Sequence, residues 1–562
     1  MSTPESSVSD RFDVAIAGGG VSGLYTAWRI LDDAKRRKIR PPKVAMFEMS
    51  ERVGGRLLTW LPFGEQAGLR AELGGMRFLS DQTLVWTLLN DVLGFKDSVI
   101  PFPVDGPNLR QYLRGDGQLM TTKTPSRRYE LSPEDTNKPP GTIMSEILAE
   151  VLGTPENRQV IRDKLGPSST GPTSREQWDL VKPQLTWRGR RLWDLGFWNL
   201  MSDVRSPETY AYVTDAFGYF SLASNWNAAE ALQFFYLDFR QGVSYHTLTQ
   251  GYEALPKRLC DQALALGLEL RVQARVRRFE RAGSAIRFEA AGPDWTGEFE
   301  AGRLVLAMPR RALELLCCSP DFDLQGSLKL KQLIQSVTPQ PAFKLFLLYA
   351  ERWWEKPPLG IREGRSVSDM PIRQTYYMHP DKGSAPYGLL MASYDDARAV
   401  DYWQGLVPRE DEREQGRAEL HETLTAFAAT DAVEGDEGAN APPPLLHQAT
   451  PDMLRHAKDQ VAILHGVPVD AIPDPLIGAF ADWGLDPYGG GWNFWQPQVD
   501  VRDAMTQIKA PLGTDVKVNI VGDGYSGDAG WVEGALTATE ATLQRHMDLA
   551  PPPWLKDCYL GW

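Results

Sequence analysis

Apolar and polar positions alternate between two styles along this chain. Val14, Ala15, Ile16 and Ala17 form a short apolar run without polar interruption, the pattern of a parallel strand covered on both faces. The run ends at Gly18-Gly19-Gly20-Val21-Ser22-Gly23, and helical spacing follows through Leu24, Ala27, Trp28 and Leu31. A second short strand, Val44-Ala45-Met46-Phe47, stops at Glu48. Together these predict a βαβ opening.

The same style returns twice. Leu268, Leu270, Val272 and Val276 precede the alternating Ile286-Arg287-Phe288-Glu289 and the buried-strand run Leu304 to Met308; Val516 to Val521 then leads through glycines to a helix over about 532–545. Between them lie an aromatic, helical stretch, Leu192 to Arg240, flanked by Pro/Ser/Gly-rich loops, and a second insertion with a strand-like Phe343 to Tyr349 and an acidic, proline-rich loop, Ala432 to Pro444. One α/β unit assembled from three separated segments is expected, with two insertions and no internal repeat.

Composition narrows the function. The 562 residues carry a net charge of −13, which disfavours a general nucleic-acid or membrane-surface binder because a polyanion is repelled over most of the surface. No apolar run approaches the ~18 to 20 residues of a spanning helix, and the polar, acidic start reads as neither signal nor transit peptide. Cys260, Cys317, Cys318 and Cys558 lack CxxC spacing, so a reducing cytoplasm is the expectation. The seven histidines form no HExxH and no Cys/His ligand spacing; no metal is expected.

Gly18-x-Gly20-x-x-Gly23 after a strand and before a helix has the context of a dinucleotide-binding turn: Gly18 for the turn, Gly20 for backbone approach to a pyrophosphate, Gly23 for close helix packing. The anion sits on the N–H groups that open the helix, around Val21 and Ser22. Glu48 is placed to accept from an adenosine ribose, which favours FAD or NAD over NADP. The motif does not choose between those two.

The next residues do. Glu48-Met49-Ser50-Glu51-Arg52-Val53-Gly54-Gly55-Arg56 resembles the second flavin motif of the flavin amine oxidase family, which includes L-amino-acid, monoamine and polyamine oxidases. Gly251-Tyr252-Glu253-Ala254-Leu255-Pro256, Val276, and Val521-Gly522-Asp523-Gly524 through Gly534 are similar to that family's other flavin motifs. The resemblance implies FAD held by Gly18, Gly20, Val21, Ser22, Gly23, Glu48, Met49, Arg56, Gly75, Met76, Arg77, Val276, Asp523, Trp531 and Val532. It implies a discontinuous Rossmann-like FAD-binding domain (1–80, 246–320, 500–562), a mixed α+β substrate domain (81–110, 321–499) and a helical domain (111–245). Where monoamine oxidases carry the flavin-attaching cysteine, this chain reads Gly489-Gly490-Gly491-Trp492.

The same resemblance is closest to L-amino-acid oxidases. Glu72-Leu73-Gly74-Gly75-Met76-Arg77 resembles their substrate loop and makes Arg77 the α-carboxylate anchor, a role that suits a guanidinium fork; a structural ion pair is the ordinary alternative. Lys344, in an otherwise apolar strand, takes the place of the lysine that holds a water near flavin N5; snorkelling at a strand edge is its ordinary role. Tyr394 precedes Asp395-Asp396-Ala397 as a second carboxylate contact, with shorter spacing than in relatives. Trp531 and Trp492 are expected to wall the substrate, and Asp215 or Glu533 to meet a distal cation.

The implied reaction is oxidation of an L-amino acid by O2 to an imino acid and peroxide, in a homodimer or higher homo-oligomer. An amino-acid 2-monooxygenase and a flavin-free dissociation-inhibitor-like binder are the alternatives. With Gly491 unable to form a thioether, flavin should leave the protein on acid precipitation; yellow colour retained in the washed pellet would refute noncovalent binding.

Overall fold

The computed structural model describes residues 10–64, 68–120, 128–240, 242–316, 319–378, 386–428 and 441–562. Cys317, Cys318, His379, the start of the chain and most of the 432–444 loop lie outside them. The architecture is mixed α/β. Five parallel strands form one sheet in the order Glu269–Arg271, Val44–Phe47, Val14–Ala17, Leu304–Leu306, Val518–Ile520. Its three central strands are wholly apolar and wholly buried, as strands covered on both faces must be. The strands come from three distant parts of the chain, so the sheet exists only once both insertions have been looped out.

Helix Val21–Arg37 packs on this sheet and against helices Ala254–Ala265 and Val532–His546. A buried ion pair joins the first and last of these helices: Arg29 Nε lies 2.9 Å from Glu540 Oε2, with neither side chain exposed. Tyr25 Oη donates to the same carboxylate at 2.8 Å. Two helices more than 500 residues apart in sequence are thereby clamped behind the glycine turn.

The second large sheet has eight strands, in the order His447–Gln448, Ile477–Asp482, Ala342–Tyr349, Gly388–Asp396, Gln374–Met378, Gly364–Ser368, Arg110–Leu113, Asp116–Leu119. Ala342–Tyr349 is buried along its whole length, and its antiparallel register sets Lys344 beside Tyr394 on one side and Ala481 on the other. Lys344 is therefore in a central strand and not at an edge. The hairpin 110–119 also corrects the expected helical boundary at residue 111. Val367 pairs with Gln111, and the backbone of Arg110 donates to Ser366 Oγ at 2.9 Å, so these strands extend the sheet.

Beyond that hairpin the chain is helical: Pro140–Leu152, Pro155–Leu165, Arg175–Val181, Phe197–Val204, Pro207–Phe217 and Ala228–Asp238. Thr154, Ser174, Ser206 and Asn227 cap four of them with side-chain oxygens, so local sequence defines where each begins. Among the described residues no helix is long and apolar enough to cross a membrane.

Breaking a buried pair strands a charge, at a cost of about 3–5 kcal/mol. Glu540→Ala should lower the thermal midpoint by several degrees, measured by circular dichroism; an unchanged midpoint would show that the clamp carries no net stability.

Candidate active site

The glycine turn is built by close contact. Gly18 has φ +110°, and a Cβ there would lie 2.3 Å from the carbonyl oxygen of Ala307; one on Gly23 would lie 2.0 Å from the carbonyl oxygen of Gly18. Side chains are excluded at both positions. The Gly54–Gly55 backbone lies directly against the turn, with the Gly54 amide donating to the Gly19 carbonyl at 2.8 Å and a Cβ on Gly55 falling 3.1 Å from the Cα of Gly20. Helix Val21–Arg37 opens at Gly20 with no side-chain cap, so its first N–H groups remain available to an anion. Glu48 Oε2 accepts from the Gly19 amide at 2.6 Å and Oε1 from the Ser50 amide at 2.8 Å, which fixes the carboxylate at the end of its strand.

Next to Gly55, Arg56 donates to the carbonyl of Gly491 at 2.9 Å and pairs with Asp523. Helix Val532–His546 opens at Trp531, again without a side-chain cap. One elongated cavity is lined by Gly18, Gly20, Val21, Ser22, Glu48, Met49, Arg56, Gly75, Arg77, Val276, Lys344, Tyr394, Trp492, Asp523, Trp531 and Val532. Positions singled out in widely separated stretches of the sequence thus meet around one space.

At its far end the cavity is aromatic and cationic. Lys344 Nζ donates to the carbonyls of Glu72 at 2.8 Å and Gly74 at 2.6 Å, and lies 4.7 Å from the centre of the Tyr394 ring. Burial pulls its ammonium down to about 7; Glu72 opposes that shift and Arg77 adds to it. Burial likewise pushes the Glu72 carboxyl up to about 7, against hydrogen bonds from the Tyr252 amide and Thr59 Oγ1.

Arg77 donates to Tyr376 Oη at 3.0 Å, and its guanidinium carbon lies 4.3 Å from the centre of the Tyr245 ring and 5.5 Å from that of Phe102. No carboxylate among the described residues pairs with it. Burial opposes its charge, yet the phenols of Tyr376, Tyr219, Tyr245 and Tyr394 hold it firmly protonated. A cation ringed by aromatics and given no anion of its own is arranged for an anionic ligand.

Four expected residues stand apart from the cavity wall. Gly23 packs helix on strand, and Met76 is buried with its Sδ 3.7 Å from Lys344 Nζ. Asp215 accepts from Tyr129 Oη at 2.6 Å and lies 3.8 Å from Arg373 Nη1, so its charge is already answered away from the cavity. Glu533 caps another helix, accepting from the amides of Leu84 at 2.9 Å and Val85 at 2.8 Å. Both corrections have one cause: a carboxylate beside a helix in sequence is as readily claimed by a neighbouring segment as by a ligand. Tyr376, Tyr245 and Tyr219 were not foreseen, because each comes from a strand or turn whose sequence carries no motif.

The model of the Flavin containing amine oxidoreductase family matches residues 21–439. The chain belongs to this family. It is 25% identical to aplysianin-A of Aplysia kurodai over 98% of this chain and 94% of that one. It is 24% identical to an L-amino-acid oxidase of Siganus canaliculatus, over 93% and 83%, and 22% identical to achacin of Lissachatina fulica, over 95% and 93%.

Membership implies FAD, and the residues present fit it. Gly20 and Gly55 bring bare backbone to the cavity wall, two uncapped helices open at it, and Glu48 lines it at the end of its strand, a lining that suits a pyrophosphate and a ribose. Arg56→Ala removes the tie between the second flavin motif and Asp523 and should weaken FAD retention about tenfold or more, a loss of ~1.4 kcal/mol. Flavin absorbance after exhaustive dialysis reads this, and full retention would contradict it.

Proposed function

We propose that this chain is an FAD-dependent L-amino-acid oxidase that converts its substrate to an imino acid, hydrolysed to a 2-oxo acid and ammonia, while O2 becomes H2O2. The observation that carries the reading is Arg77, a protonated guanidinium lining the cavity without a carboxylate partner among the described residues. A simple amine gives such a group nothing to bind, whereas an α-carboxylate matches its fork.

The parallel sheet with its glycine turn supports a Rossmann-like dinucleotide site, and Gly491, at the place of the flavin-attaching cysteine of monoamine oxidases, supports noncovalent FAD. When bound, FAD would supply the two-electron oxidation of the substrate Cα–H bond, with O2 as the final electron acceptor. The protein's part is placement. Arg77 holds the carboxylate and so fixes Cα; Trp531, Tyr394 and Trp492, which line the cavity, keep water away from the amine, and Tyr245 packs against Trp531, nearly parallel with ring centres 6.5 Å apart. An amine that reaches Cα oxidation unprotonated is favoured by the positive charge of Arg77 and Lys344 beside it. Lys344, tethered to two carbonyls, keeps a titratable ammonium in the cavity wall where negative charge is handed to oxygen.

Arg77→Ala should lower kcat/KM for L-amino acids about a hundredfold, equivalent to ~2.8 kcal/mol, while the flavin spectrum and thermal midpoint stay in place. Unchanged turnover in a peroxide assay across the L-amino acids would overturn the assignment, and an amide in place of the 2-oxo acid would reassign the product to a monooxygenase.

A further inference from the structure

We propose that Asp238, the last residue of helix Ala228–Asp238, is a positioning residue for this site: it holds the Trp531 indole and, through Tyr245, the tilt of Arg77. The proposal rests on Arg77 as the carboxylate anchor.

Asp238 sits where a carboxylate is least welcome. It is 7% exposed, and it ends a helix, where the backbone carbonyls already concentrate negative charge. Among the described residues its side chain makes a single hydrogen bond, accepting from Trp531 Nε1 at 2.8 Å. Its backbone carbonyl accepts from Tyr245 Oη at 3.4 Å. The two rings tied to this one residue are inclined by only 16°, and Arg77 lies over the Tyr245 ring. Trp531 also precedes the first turn of helix Val532–His546, so an indole free to swing would open the wall at that helix N-terminus. A helix that contributes no residue to the cavity lining thereby holds Trp531 of the wall and, through Tyr245, the ring beneath Arg77.

Burial pushes the Asp238 carboxyl up to about 7, against the pull of the Trp531 indole and Arg175. An acceptor oxygen is therefore what the indole needs, and charge is secondary. Asparagine keeps that oxygen; leucine matches the shape and removes it.

The test compares holoenzyme carrying Asp238→Asn, Asp238→Leu, Trp531→Phe, the Leu/Phe double substitution and Arg77→Ala. It measures equilibrium binding of benzoate, which carries the carboxylate and no oxidisable amine, beside kcat and KM for a turned-over L-amino acid. Asp238→Leu should weaken benzoate and lower kcat/KM about tenfold or more at full flavin content, Asp238→Asn should stay within about threefold of the parent, and Asp238→Leu added to Trp531→Phe should cost less than about threefold more. Should the leucine form fail to accumulate, Asp238→Ala replaces it. Parent-like benzoate binding in Asp238→Leu alongside its loss in Arg77→Ala would overturn the role of Asp238 alone, as would an asparagine form as impaired as the leucine form or fully additive losses in the double substitution. Benzoate binding unchanged in Arg77→Ala would overturn the carboxylate reading beneath it.

Discussion

An ammonium buried in the middle of an apolar sheet is the constraint on which the site depends. Lys344 comes from a central strand and is only 3% exposed, so its ammonium needs polar partners to offset the cost of leaving water. Its Nζ is met by two carbonyls of the segment 72–74. That segment is therefore pressed against the eight-stranded sheet, and Arg77, three residues on, is delivered to the cavity at a defined height. Glu72 adds a second tether, since its carboxylate accepts from the Tyr252 amide and so ties the same segment to the turn that opens helix Ala254–Ala265.

The cavity is a seam between two sheets, and the seam explains its chemistry. Along the parallel sheet, glycines and uncapped helix ends present backbone N–H groups, which suit phosphate. On the side of the eight-stranded sheet Lys344 and the Tyr394 phenol line the cavity, joined by the indoles of Trp492, from a separate two-stranded ladder, and Trp531, at a helix start, a set that suits an amino acid beside an apolar ring. Arg56 spans the seam, reaching Gly491 on one side and Asp523 on the other. The surface carries an excess of negative charge while the seam gathers Arg56, Arg77 and Lys344, so net charge describes the exterior and says little of the pocket.

Much of this was legible along the chain because short-range rules produce it. Val14–Ala17, Val44–Phe47 and Leu304–Leu306 appear where the apolar runs placed them, and Gly18 and Gly23 of the turn stand where only glycine fits. The hairpin 110–119 carries no such signal, because alternating polar residues do not reveal which sheet they will join; that was decided by the partner strand Gly364–Ser368. Asp215 and Glu533 were misjudged for a related reason, since a carboxylate's partner is set by what folds against it.

By itself the sequence determined the βαβ opening, the three-segment sheet, the flavin motifs and the identity of the cationic residues, all of which rest on local periodicity, backbone sterics or the chemistry of one side chain. The tertiary structure alone decided that Tyr376 and Tyr245 would hold Arg77, that Glu72 would brace Lys344, and that Asp238 would tether Trp531. These contacts join residues as far apart as 299 and 293 positions, over which no pattern of spacing survives. They form because a buried charge or N–H must find a partner, and only the packed fold determines which partner is within reach.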